Sequence, residues 1–144
     1  MANPLTEKLV TGTVGELIVQ LRLFQFDVQA FPPLKDTGND LIALRRHSFH
    51  TIQVKTRTTN EFTVGNLPKF YTAVALVHLD GYDNILNLDS TIVYLLSREE
   101  FENAPCRFDQ LNRFELNDER VDALFGPVPV GQLGNVPKLK GVAK

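Results

Sequence analysis

The chain is poor in the residues that build covalent or metal frameworks. Its single cysteine, Cys106, excludes an intramolecular disulfide and any cysteine-cluster zinc site. Its three histidines, His47, His50 and His78, have no zinc-ligand spacing, and His47 and His50, at the hairpin, read as surface residues. The stretch "TGTVGE", residues 11–16, has two glycines but lacks the Gly-Lys-Ser/Thr of a phosphate-binding loop. No Gly-x-Ser-x-Gly nucleophile elbow occurs. No apolar run approaches the roughly 20 residues of a membrane span, and the N-terminus has no apolar leader core. A soluble protein of a reducing, cytoplasmic compartment is therefore expected, with no membrane partner. A strong excess of one charge is also missing. The formal net charge is −2, which excludes a bulk electrostatic argument for nucleic acid or anionic lipid. The halves differ mildly: residues 1–60 hold seven Lys/Arg and five Asp/Glu, residues 61–144 eight and twelve. That allows a locally basic face on the first half.

What is present is an ordinary globular composition. The 144 residues, 43% apolar and 22% charged, suffice for one domain with its own core. The domain is expected over residues 1–126. From Pro127 the composition changes: "PVPVGQLGNVPKLKGVAK" has three prolines, three glycines and no acidic residue, and reads as an extended arm or tail over 127–144.

Asn3-Pro4 is a helix start, and Leu9, Val10, Val14, Leu17, Ile18, Leu21 and Phe24 recur in steps of three and four. An amphipathic helix over about residues 4–24 follows. Gly12 and Gly15 weaken it in isolation and suggest close approach to a sheet or ligand. "FDVQAFPP" reads as a strand ended by Pro32-Pro33, and "LKDTGND" as a turn. "DLIALRR" and "FHTIQVKT" read as strands of an antiparallel hairpin with a short loop near His47-Ser48. "NEFTV" suggests a short strand and "NLPKFY" a helical turn. "TAVALVHLD" and "STIVYLLS" read as buried strands. Ser97 and Glu100 form a capping box for a helix in "REEFENA", and "DERVDALFG" is a last helix ending at Gly126. The order α-β-β-β-(α)-β-β-α implies an α/β domain with a central mixed sheet flanked by helices.

"TIQVKT" breaks the apolar pattern. Gln53 and Lys55, two apart on a strand, point to one face about 6.5–7 Å apart. Asp40 begins the preceding strand, and Glu16 borders the apolar stripe of the first helix. Two carboxylates, an amide oxygen and an ammonium suit Mg²⁺, which takes oxygen ligands and keeps several waters. A lysine beside it suits water positioning or stabilisation of developing phosphate charge.

This arrangement resembles the PD-(D/E)XK nuclease superfamily, the restriction-endonuclease-like fold. The likeness rests on "VGELIVQLRL" with Glu16, "GNDLIAL" with Asp40 and "IQVKT" with Gln53 and Lys55, and spans about residues 5–57. It implies Asp40 as the main metal ligand, Gln53 in the second ligand position, the Val54 backbone carbonyl completing the inner shell, Lys55 as the catalytic lysine, and Glu16 as an additional acid. Mg²⁺ is the implied cofactor, with Mn²⁺ as a substitute. The implied function is hydrolysis of phosphodiester bonds in duplex or branched DNA, of a restriction, repair or junction-resolving type, with a homodimer as the expected assembly. Two departures stand out. Asn39 replaces a frequent proline, at a position without chemistry. Gln53 replaces an acid, so its oxygen brings no negative charge. The alternative is thus a catalytically inactive nuclease-like module for DNA binding or protein interaction, and a third reading is an unrelated interaction domain with an accidental motif. Lys35, Arg45, Arg46, Arg57 and Lys69 are candidate phosphate contacts. Phe70 and Tyr71 are candidates for stacking on a base or for the core.

Overall fold

The longest strand organises the sheet. The computed structural model describes residues 7–35, 38–82 and 85–127. The Asn3-Pro4 helix start and the Pro/Gly-rich segment beyond Pro127 lie outside them. Helix α1 covers Glu7–Phe24. Strand β1 is Gln29–Phe31, β2 Leu41–Arg45 and β3 Ser48–Arg57. Strand β4 is Ala73–His78, and β5 (Gly81–Tyr82) and β6 (Ile85–Leu86) form a small separate ribbon. Strand β7 is Ile92–Ser97, α2 Arg98–Asn103 and α3 Asp118–Phe125, with 3₁₀ turns at Phe108–Gln110 and Asn112–Phe114 between the last two.

The main sheet has five strands in the order β1-β2-β3-β4-β7. The β3–β4 pair is parallel and the other pairs are antiparallel. The chain is thus an α/β protein with a mixed sheet flanked by helices. Strand alternation gives the sheet two different faces. On one, Leu41, Ala43, Ile52, Ala75, Val77 and Leu95 pack with Ile18, Val19 and Leu23 of α1 and Val121 and Phe125 of α3. On the other, Val74, Leu76, Tyr94 and Leu96 of β4 and β7 pack with Phe101 of α2 and with Phe108, Leu111 and Phe114 of the 3₁₀ segment. Burial on both faces explains why β4 and β7 read as unbroken apolar runs. Ser97 caps α2, with its side chain and that of Glu100 completing the capping box.

Two expectations fail between β3 and β4. "NEFTV" forms no strand, only an isolated bridge from Glu61 to Arg107. "NLPKFY" forms no helix, so the order has no helix between those strands. Gly65 has φ +61°, and Pro68 lacks an N–H and biases Leu67 to extended backbone. The segment is held by side chains instead: Arg98 Nη1 donates to the Lys69 carbonyl (2.9 Å) and Asn39 Nδ2 to the Phe70 carbonyl (2.9 Å).

Helix α1 meets β3 at Gly15. A Cβ there would fall 1.7 Å from Thr56 Oγ1 and 2.8 Å from Thr56 Cβ, so backbone and side chain touch with no room for a methyl. Gly12 has open space around its α-carbon and no such constraint. Gly15→Ala is expected to lower stability by about 1–3 kcal/mol, as overpacking does, although alanine is the better helix former. Thr56→Ala in the same chain should restore part of the loss. Chemical denaturation of the two single variants and the double variant measures it.

Candidate active site

The site is built where β2 begins and β3 continues past it. The Asp40 backbone N–H donates to the Ile52 carbonyl at 3.2 Å, the last rung of the β2–β3 ladder. Asp40 Oδ2 then accepts from the Val54 backbone N–H at 2.8 Å. The carboxylate therefore takes the place of the next backbone acceptor. In a strand a residue's N–H and C=O point to the same neighbour, so the Val54 carbonyl lies on the edge that the Asp40 carboxylate occupies.

Gln53 and Lys55 project from the face opposite α1. Gln53 is buried, 8% exposed, and its Nε2 donates to the Gly38 carbonyl at 2.5 Å. Its amide nitrogen is fixed two residues before Asp40, which leaves the amide oxygen as the acceptor end. Lys55 is half-buried, and Gly65 of the β3–β4 loop arches over it, its would-be Cβ 3.6 Å from Lys55 Nζ. Asn39, at a position without chemistry in the sequence pattern, ties Asp40's neighbourhood to the base of β4 through Phe70; its Oδ1 is buried and has no hydrogen-bond partner. The sequence signal for it was the run of turn formers Gly38-Asn39-Asp40.

Charge couples three of the four residues. Burial, reinforced by repulsion from Asp40, raises the Glu16 carboxyl above the ordinary range. Burial, reinforced by repulsion from Arg57 and opposed by attraction to Asp40, lowers the Lys55 ammonium. Glu16, on the turn of α1 that touches β3, thus feels the same carboxylate as Lys55. A pair of carboxylates in mutual repulsion is a site of negative potential. Among the described residues no group of three His, Cys, Asp or Glu side chains comes together to hold a metal. The oxygens at hand are the Asp40 and Glu16 carboxylates, the Val54 carbonyl and the Gln53 amide. That set fits a hard cation that keeps several waters and suits a thiophilic or imidazole-bound metal poorly.

The basic residues separate. Arg45 is 8% exposed and faces α3, where Nη1 donates to Asp122 Oδ1 at 2.8 Å and to the Gly126 carbonyl at 3.5 Å. It fastens α3 to the hairpin and is not offered to phosphate. Lys35, Arg46 and Lys69 are exposed. Arg57 is half-buried beside Lys55, with Nη1 donating to the Thr56 carbonyl at 2.8 Å. Tyr71 is a core residue and Phe70 is exposed, which divides the two aromatics. His50, read as a surface group, is structural, and so is His78. His50 contacts Thr72 Oγ1 (2.9 Å) and the Leu124 carbonyl (2.7 Å), and His78 stacks on Phe108 at 4.4 Å. No helix among the described residues is long and apolar enough to cross a membrane.

Comparison with protein-family models, curated proteins and solved structures finds no match to the chain.

Neutralising Asp40 tests the coupling in two directions at once. Asp40→Asn keeps an oxygen for the Val54 N–H but removes the negative charge. The Glu16 carboxyl, freed of repulsion, should titrate at lower pH. The Lys55 ammonium, deprived of attraction, should also titrate at lower pH. Carbon-detected NMR titration of the two side chains reads both; shifts of opposite sign, or none, would show that Asp40 is not their common partner.

Proposed function

We propose that the chain is a metal-dependent DNA endonuclease of the PD-(D/E)XK, restriction-endonuclease-like type, acting in the cytoplasm on duplex or branched DNA. One observation carries the reading: the Asp40 carboxylate stands at the open end of the β2–β3 ladder, within the electrostatic reach of both Glu16 and Lys55. A structural ion pair would need one acid and one base. Two half-buried acids stand with a half-buried lysine, and Glu16 and Lys55 are shifted in the directions that disfavour their charges, the mark of a site shaped for chemistry. The mixed sheet and the order of helix, hairpin and later strands are compatible with that fold.

In this reading Asp40, the Val54 carbonyl and the Gln53 amide oxygen would hold Mg²⁺ or Mn²⁺, with Glu16 as an additional acid, direct or through water. Bound there, the cation supplies Lewis acidity to the phosphate and lowers the pKa of a water. Lys55 holds that water by hydrogen bonding and receives the charge that builds on the phosphate oxygens. Water adds to phosphorus and gives up a proton to solvent, the P–O bond to the leaving sugar oxygen breaks, and that oxygen takes up a proton from solvent. A homodimer would give one such site per strand.

A second reading is favoured by one residue. Gln53 is neutral where an acid is the family's habit, and its N–H is fixed on Gly38. A module with this site would bind DNA without cutting it.

Supercoiled plasmid and a four-way junction, incubated with Mg²⁺ or Mn²⁺, decide between them. The nuclease predicts metal-dependent nicking that falls by at least about 100-fold in Asp40→Ala and Lys55→Ala, the scale of losing one charge-stabilising group. Gln53→Glu should lower the Mg²⁺ concentration needed for half-maximal rate. Absence of cleavage by wild type in both metals, with salt-sensitive DNA binding retained, would leave the non-catalytic module.

A further inference from the structure

The face of the sheet that carries Gln53 is covered only in part. Over β4 and β7 it lies beneath α2 and the 3₁₀ segment. Over β1, β2 and the first half of β3 it presents apolar side chains to solvent. The register gives them in two rows. Phe31, Ile42 and Thr51 are directly opposite one another in the first, and Gln29, Leu44 and Phe49 in the second. Phe31 is 44% exposed, Leu44 37% and Phe49 66%. Phe70, 74% exposed, flanks the first row, since Thr51 Oγ1 donates to its carbonyl. Along β3, Gln53 follows Thr51 on the same face, so the candidate site is the next row of this surface, about 7 Å on.

Three features say what such a surface receives. Its aromatic rings are held on rigid backbone: Phe31 and Phe49 in paired strands, Phe70 between carbonyls anchored by Arg98 and Asn39. The charges beside the rings are cationic. From residue 41 to residue 60 there is no acidic residue, and of the four cations in that span Arg46, Lys55 and Arg57 are not drawn behind the sheet as Arg45 is. Exposed Lys35 and Lys69 add to them, and Lys69 Nζ lies 5.4 Å from the Phe70 ring centroid. A partner protein's apolar face would find only a narrow rim of cations here. A polyanion with flat apolar faces finds both of its complements.

We propose that this open half of the sheet is a stacking platform for unpaired DNA bases, with Phe49, Phe31 and Phe70 as base contacts and Lys35 and Lys69 as phosphate contacts. Rings on a sheet face serve splayed bases and not the closed stack of a duplex. The platform would lead an unpaired strand to Asp40 and Lys55, and so names the substrate of that site as a branched or frayed DNA rather than an intact duplex. In this the inference rests on the nuclease reading; the binding surface itself does not.

Binding is therefore measured without cleavage. Fluorescence anisotropy of labelled dT20 and of a blunt duplex, with the full chain in EDTA, is expected to show preference for dT20. Phe49→Leu and Phe70→Leu keep apolar bulk at exposed positions and remove the ring; each should weaken dT20 binding by about 5- to 150-fold, the measured range for loss of one stacked base. Phe49→Tyr should retain it. Lys69→Ala should reduce the salt slope by about 0.7. Unchanged dT20 affinity in both leucine variants, or preference for duplex, overturns the platform. So does a dimer in sedimentation that dissociates in Phe49→Leu while wild type ignores dT20, for then a second copy covers the face. The two readings fail separately. Cleavage that depends on Asp40 but not on Phe49 or Phe70 leaves the nuclease without the platform. Ring-dependent dT20 binding in a chain that never cleaves leaves the platform without the nuclease.

Discussion

The contact on which the site depends is the one with no side chain on one partner. Gly15 lets the backbone of α1 come down on Thr56 of β3 until only a hydrogen separates them. The next residue in the helix is Glu16, and the residue before Thr56 is Lys55. A larger residue at position 15 would lift that turn of the helix by an ångström or more, and coulombic energy between half-buried groups falls with every ångström of separation. The charge coupling of Glu16 to Asp40 is thus a consequence of packing at a single small residue. Propensity alone would have placed alanine there.

That geometry works against stability. Glu16 is driven toward its neutral form by burial and by Asp40. For such an acid the folded state binds its proton more tightly than the unfolded chain. Its ionisation therefore withdraws stability as pH rises from the ordinary carboxylate range through the raised value. Lys55 is the mirror case, its charged form disfavoured by burial and Arg57; its stability penalty is present below its lowered pKa and fades as pH rises. Elsewhere the chain places charges where they are satisfied: Arg45 on Asp122, Arg120 on Glu100, Arg107 on Glu61 and Asp109. At the end of β3, by contrast, Glu16 and Lys55 are half-buried with their charged forms disfavoured.

How much of this could be read from the sequence depended on how local each cause was. The β2–β3 hairpin, the apolar strands β4 and β7 and the Ser97–Glu100 capping box are set by alternation and short-range hydrogen bonds, and their residues announce them. The company of Glu16, Asp40, Gln53 and Lys55 was visible as order along the chain, because a helix packed on a hairpin brings those positions to one end. Arg45 was not legible: it reads as one of a pair of surface arginines at a turn, and only the docking of α3 turns it inward. The "NLPKFY" segment misled for the same reason. Its partners, Arg98 and Asn39, are 29 and 31 residues from the carbonyls they hold, beyond any local pattern. Tyr71 and Phe70 differ in sequence only by a hydroxyl, yet one is core and the other faces water.

The sheet's second face makes the last distinction between what folding needs and what it does not. Alternation in a strand with one wet face calls for polar residues on that face. Strand β2 obeys on the α1 side, where Leu41 and Ala43 are buried, but its other side offers Ile42 and Leu44 in place of Lys, Glu or Thr. Strand β3 offers Phe49 beside them. Nothing in the packing against α1 or α3 requires these choices, because those helices lie behind the sheet. An apolar patch left open on an otherwise well-covered sheet raises the risk of self-association. Its place beside the Glu16, Asp40 and Lys55 charges joins the two in one strand: the proposed binding surface and the candidate site share β3, Thr51 in the one and Gln53 in the other.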